Sequence, residues 1–310
     1  MREITVATVQ MKPALGEIED NLVKMSEFVS KIASQQKVDL IVFPELITSG
    51  YELGVRFTEL AQRIPGPSVN VLAQRAAEFG VYIAFGMAAK ERVESVLYNS
   101  AVLVGPDGEL VGNYNKIHLR GEERMAFREG FRLPVFETEF GVLGLMLGWD
   151  LAFPEVARSL TLEGAELLAV MANWEADQME EWRTFVRARS YENGLFVAAA
   201  NRAGEDVTLS FGGESMVVGP GGKTYAYLET PTPEPEKPAE PEKKDEAAGD
   251  EKTPEKKAEK KSAAEAKPGE PPEGFVVARI DLEDVRRHRE ERQTIQARQP
   301  SVYRALVRRY

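Results

Sequence analysis

With 310 residues the chain is long enough for one large α/β domain or two small ones, and its 43% hydrophobic content is ordinary for a globular protein. A formal charge of −11 argues against non-specific nucleic-acid binding, which needs a basic footprint, and no apolar run approaches the roughly 20 residues needed to span a bilayer. Cysteine is absent, which excludes disulfides, thiolate metal sites and cysteine nucleophiles, and the two histidines, His118 and His288, are too few to predict a zinc site.

The chain enters a strand at Ile4–Val9 without the regions of a secretory signal, so a cytoplasmic protein is expected. An amphipathic helix over Asn21–Ile32 and a buried strand at Asp39–Phe43 complete a β-α-β unit. A helix over Val69–Phe79, with Ser68 as N-cap, leads to a strand at Val81–Phe85. Tyr98–Val104 and Leu110–Asn115 form a hairpin around Pro106-Asp107-Gly108. Then come a strand (Val142–Leu147), a helix (Pro154–Glu163), a strand (Leu167–Met171), a long helix (Glu180–Asn193) and a strand (Leu195–Ala200). Between strands predicted at Lys223–Leu228 and Phe275–Ile280 lies Glu229–Glu273, with fourteen acidic residues, nine lysines, and no aliphatic side chain larger than alanine. Such a run cannot bury enough apolar surface to offset its ordering entropy, and it reads as a disordered insertion within a hairpin. The basic stretch Arg286–Arg298 reads as a solvated face or subunit contact.

Three places carry candidate chemistry. Phe43-Pro44-Glu45 delivers a carboxylate at the end of a buried strand, where α/β folds place working residues, although alone it reads more readily as a turn or capping glutamate. Lys116, in Tyr114-Asn115-Lys116-Ile117-His118, ends another strand and alone reads as a surface lysine. Val142–Leu147 runs through Gly148-Trp149-Asp150 into a helix, the layout of a nucleophile elbow, but the elbow carries no side chain. Such a turn costs a non-glycine residue about 1–3 kcal/mol, so glycine at 148 is predicted to relieve strain.

Phe43-Pro44-Glu45, Lys116-Ile117-His118-Leu119 and Trp149-Asp150 with Phe153-Pro154-Glu155 resemble, in order and spacing, the three catalytic motifs of the nitrilase (carbon-nitrogen hydrolase) superfamily. Further matches at Gln10-Met11, Asn173-Trp174, Asn201-Arg202-Ala203-Gly204 and Gly213-Glu214-Ser215 extend the resemblance over nearly the whole chain, the acidic insertion excepted. It implies a single α/β domain over 1–310, an αββα sandwich of two mixed sheets covered by helices, a homodimer or higher homo-oligomer, and hydrolysis of amides, carbamoyl compounds or nitriles without cofactor or metal. By the same resemblance Glu45 is the general base and Lys116 the oxyanion-stabilising cation. Glu123, in preference to Glu122, is the second glutamate, and the Trp149 backbone N–H is an oxyanion donor. Tyr51, Asn173 and Trp174 are expected to wall the substrate pocket.

Gly148 stands where that family carries its nucleophilic cysteine, so its thioester chemistry is not expected here. Ala152 likewise stands where many members carry arginine, which leaves the partner of Asp150 open. Three readings follow: a ligand-binding pseudoenzyme, a hydrolase in which Glu45 activates water directly, or a scaffold whose acidic insertion recruits a partner.

Overall fold

The computed structural model describes residues 2–92, 96–230 and 270–308. In chain order these form β1 (Glu3–Gln10), α1 (Ile18–Gln35), β2 (Leu40–Val42), α2 (Phe57–Leu60), α3 (Pro67–Phe79), β3 (Tyr82–Lys90), β4 (Leu97–Val104), β5 (Leu110–Asn115) and α4 (Glu123–Ala126). The second half adds β6 (Val135–Glu137), β7 (Val142–Leu147), α5 (Pro154–Leu162), β8 (Leu167–Ala172), α6 (Met179–Asn193) and β9 (Phe196–Asn201). It ends with β10 (Ala203–Glu205), β11 (Ser210–Gly212), β12 (Met216–Gly219), β13 (Lys223–Tyr227), β14 (Gly274–Asp281) and α7 (Glu283–Arg292).

Two six-stranded sheets result, ordered β14-β1-β2-β3-β4-β5 and β13-β12-β9-β8-β7-β6. Each is mixed: β1, β2 and β3 run parallel, as do β7, β8 and β9, with antiparallel strands outside them. Strand alternation sorts the side chains into layers. Val6, Leu40, Leu103, Leu145, Met171 and Ala198 meet between the sheets. From the opposite face of the first sheet, Val9, Ile41 and Ile83 pack on Met25, Val29 and Leu72 of α1 and α3. On the outer face of the second, Met146, Val170 and Val197 pack on Leu160, Trp182 and Val186 of α5 and α6. This is the αββα sandwich that the resemblance implied. Among the described residues no helix is long and apolar enough to cross a membrane.

Two local expectations fail. The N-cap of α3 is Gly66, not Ser68, because Pro67, whose ring fixes φ and whose missing N–H costs nothing there, takes the first helical position. The side chain of Gln62 accepts the Ser68 N–H at 2.9 Å in place of a cap hydroxyl. Nor do β13 and β14 form a hairpin. β13 folds back on β12 through the tight Pro220–Gly222 turn, while β14 zips onto β1 over eight residue pairs, so the chain between them passes from one sheet edge to the other. Most of that insertion, 231–269, lies outside the described residues, but both stems are fastened beside one another. Thr230 Oγ1 donates to Gly212 O at 3.1 Å, Pro271 lies against Gly213, and Gln10 Nε2 donates to Pro272 O at 2.8 Å. In the basic stretch, Arg286 and Arg287 pair with exposed carboxylates, whereas Arg289 docks α7 by donating to Asn193 O and Ala165 O.

Candidate active site

Glu45, Lys116 and Gly148 each follow the end of a strand, and strand register brings the three ends together. After β2 the chain turns inward, with Gly86 N–H donating to Pro44 O at 3.1 Å and Ile47 N–H to Gly86 O at 3.0 Å. A Cβ on Gly86 would lie 2.6 Å from Glu45 Cα and from Leu46 N, so only glycine allows this approach. Leu46 itself holds φ at +45°, an unusual conformation for a leucine and a sign that the turn is over-determined by its packing. Lys116 leaves β5 with its N–H on Asn99 O at 2.9 Å and its carbonyl taken by Gly130 N–H at 2.8 Å.

The side chains meet in a buried cluster of one cation and two carboxylates. Lys116 Nζ donates to Glu45 Oε1 at 2.8 Å and to Glu123 Oε1 and Oε2 at 2.7 and 2.8 Å. Asn99 Nδ2 donates to both Glu45 Oε1 and Glu123 Oε1 at 2.8 Å, joining the carboxylates from β4. Glu123 also accepts the Arg120 N–H at 2.9 Å. Glu123 is buried and Glu122 exposed. Burial pushes the Glu45 carboxyl up to about 7, against the pull of Lys116 and with the help of Glu123. Burial alone would depress the Lys116 ammonium, but Glu123 and Glu45 outweigh it and hold its pKa above the ordinary lysine value. Burial likewise raises the Tyr51 phenol above its usual range, with the Glu123 charge adding to the effect.

Gly148 has φ of +40°, in the left-handed region that favours glycine, as the elbow predicts. A Cβ built on it would fall on Glu45 Oε2. The carboxylate thus stands over the bare elbow, where Oε2 also accepts the Asn173 backbone N–H at 3.2 Å. Asp150 ties the elbow to the lysine loop: it accepts the Tyr114 hydroxyl at 2.6 Å, the His118 N–H at 3.0 Å and the Leu147 N–H at 3.3 Å, and it pairs with His118 Nδ1 at 2.9 Å. The His118 ring stacks on Phe153 at 3.7 Å. Asp150 therefore finds its partners in Tyr114 and His118. Arg189 of α6 braces the same turn by donating to Leu151 O and Ala152 O at 2.9 and 3.1 Å.

The space above the cluster is a cavity of about 20 Å³, lined by Tyr51, Trp149, Asn173 and Trp174 together with Arg120 and Glu175. That volume holds about one water molecule. All the residues singled out from the sequence for this site are brought together, and Trp174 packs its ring on Trp182 and Phe185 behind the wall. Among the described residues, the buried side-chain oxygen and nitrogen of Asn173 have no hydrogen-bond partner. Sequence reasoning missed Asn99, Arg120 and Glu175. Asn99 had one signal: a polar side chain inside Leu97–Val104, a strand buried along its whole length.

The carbon-nitrogen hydrolase family model matches residues 5–234, most of the described fold and all of the site. The chain belongs to this family. A probable nitrilase of Schizosaccharomyces pombe is 44% identical over 227 residues, 72% of this chain and 84% of that protein. A nitrilase of Pyrococcus abyssi is 40% identical over 223 residues, 70% of this chain and 82% of that one. The 2-oxoglutaramate amidase of Bacillus subtilis is 30% identical over 224 residues, 72% of this chain and 85% of that protein. Among solved structures, a carbon-nitrogen hydrolase from Helicobacter pylori superposes with a TM-score of 0.77 at 23% identity, covering 99% of both chains.

Proposed function

We propose that this chain is a ligand-binding member of the carbon-nitrogen hydrolase family that does not run thioester chemistry, and that its ligand is a small amide, carbamoyl or nitrile-like compound. The observation that carries the reading is Gly148: no side chain rises from the elbow, and Glu45 Oε2 stands over it. In this reading Glu45, Lys116 and Glu123 keep the polarity and shape of the pocket, the Trp149 N–H faces a ligand oxygen, and Tyr51, Asn173 and Trp174 form its walls. An amidase double mutant from Nesterenkonia, with a cysteine replaced by alanine and a glutamate by glutamine, has been solved with acrylamide bound, which supports ligand retention by such a pocket once the thiol is gone. With the reading go a cytoplasmic location and a homodimer.

A second reading rests on Glu45 itself. A carboxyl held up to about 7 beside room for one water is suited to act as a general base near neutral pH, attacking a bound amide with that water and passing its proton to the leaving ammonia. One assay separates the two readings: ammonia release from amides, carbamoyl compounds and nitriles by the chain and by Gly148→Cys. Glu45 Oε2 is the end of a flexible side chain and can withdraw from a thiol, although φ of +40° leaves the cysteine strained. Release by the variant alone is expected; release by the unaltered chain overturns the first reading and makes Glu45→Gln the next variant.

A further inference from the structure

Three side chains at the mouth of the site stand apart from the cluster beneath it, although the Arg120 backbone N–H donates to Glu123. Arg120 and Glu175 both line the cavity, and the Arg120 guanidinium lies 5.9 Å from the centroid of the Trp149 ring. They come from opposite halves of the sandwich, Arg120 from the loop after β5 and Glu175 from the loop after β8. Among the described residues neither side chain forms an ion pair, with the other or with anything else. Between them stands the carboxamide of Gln178. Arg120 Nη1 donates to Gln178 Oε1 at 2.9 Å, and Gln178 Nε2 donates to Glu175 Oε2 at 2.8 Å.

A primary amide has one acceptor oxygen and a nitrogen with two donors. Here the cation meets the oxygen and the anion meets the nitrogen, so both bonds are charge-assisted and the reverse orientation satisfies neither. The Gln178 backbone is fixed separately. Its N–H donates to Glu175 O at 3.0 Å, and its carbonyl accepts Trp174 Nε1 at 3.1 Å. Releasing the carboxamide therefore needs only side-chain rotation, with the wall residue Trp174 left in place.

We infer that Arg120 and Glu175 form a carboxamide-binding subsite at the mouth of the pocket, made for the CO–NH2 end of a small primary amide or carbamoyl ligand, and that Gln178 is its internal competitor. The inference rests on the ligand-binding reading above and deepens it by naming the group recognised and the residue that must yield. Selectivity follows from the two charges. A carboxylate in place of the amide sets a second anion against Glu175, and an N,N-dialkyl amide has no N–H to give it. The deep cluster differs in kind, because Lys116 is already saturated by the protein's own carboxylates.

The test is acetamide binding to the full chain, followed by ligand-observed NMR, in the unaltered protein and in Gln178→Ala and Gln178→Met. The methionine variant keeps the length and packing of the side chain, so a folding defect in the alanine variant does not decide the result. Removing an internal competitor raises the binding-competent fraction, and both variants are expected to bind acetamide about threefold tighter or better. Adding Arg120→Ala or Glu175→Ala should cancel the gain, and acetate and N,N-dimethylacetamide should show none. Affinity that stays level or falls in both Gln178 variants overturns the subsite, as does a gain that survives loss of Arg120 and Glu175, or binding to none of the proteins. Ammonia release from acetamide by the unaltered chain sinks the non-hydrolytic reading; the subsite then stands only if both Gln178 variants lower KM and loss of Arg120 or Glu175 cancels that gain, and an unchanged KM overturns it.

Discussion

Of the places in this molecule where one cation meets two carboxylates, the clusters around Arg2 and Lys116 behave as opposites. At the N-terminal edge, Arg2 pairs with Glu166 and with Glu283, the latter at 2.9 Å, with side-chain exposures of 40%, 17% and 24%. In the site, Lys116 pairs with Glu45 and Glu123 at 2.8 and 2.7 Å, with exposures of 2%, 2% and 3%. Each sets two glutamates around one cation, arginine at the edge and lysine in the site, and the site is far more deeply buried. Near water the cluster works as a surface clasp between β1, the loop before β8, and α7. Out of water it becomes a centre in which burial raises the Glu45 carboxyl against the pull of Lys116, while the two glutamates hold the Lys116 ammonium above its ordinary value.

The comparison breaks most visibly if the lysine is removed. Lys116→Met leaves two buried carboxylates without a cation and should cost about 3–5 kcal/mol in urea denaturation at neutral pH. A loss no larger than that of Arg2→Ala would show that burial does not separate the two clusters. Next comes Gly86→Ala, whose methyl group would press on Glu45 Cα and Leu46 N at 2.6 Å. It should destabilise by about 1–3 kcal/mol, and with the Gly148→Cys variant as background it should also cut ammonia release, because the backbone that aims Glu45 has moved.

The pH dependence gives a smaller but directional effect. Glu45 is raised from 4.5 to about 7, so the folded protein keeps a proton that the unfolded chain releases. The stability from this group is full below the unfolded value and is lost as pH rises through about 7. Between pH 5 and 8 the unaltered chain should therefore lose stability relative to Glu45→Gln, whose side chain cannot ionise; a flat difference curve would contradict the burial argument. Smallest of all, Arg2→Ala should shift Tm only slightly at low salt and not measurably at high salt, since exposed pairs are screened.

The site was legible where residues close in sequence carry it. Phe43-Pro44-Glu45, Lys116 and the bare Gly148 elbow each sit at a strand end with a recognisable neighbourhood, and register does the rest. Asn99 gave one faint signal, a polar side chain inside an apolar strand, but nothing in the sequence says what it bonds until the strands on either side are known. The Arg120–Gln178–Glu175 bridge joins Arg120 to Gln178 across 58 residues and has no local pattern at all. The fold shows the same division. Periodicity placed the principal strands and helices, but it could not tell whether β13 and β14 are partners or the edges of facing sheets, since an edge strand carries the same alternation either way. Ser68 lost its capping role to Gly66 because Pro67, with its fixed φ, opens the helix one residue earlier.

The fastening of the two stems has a consequence for the covalent integrity of the chain. Because β14 is zipped to β1 over eight residue pairs and α7 is docked by Arg289, while Thr230 is tied to Gly212, the polypeptide need not be continuous between residues 230 and 270 for either side to hold its place. A single backbone scission there would yield two bands on a denaturing gel and one species under native conditions, a split protein that keeps its site because every residue of that site lies on the N-terminal fragment.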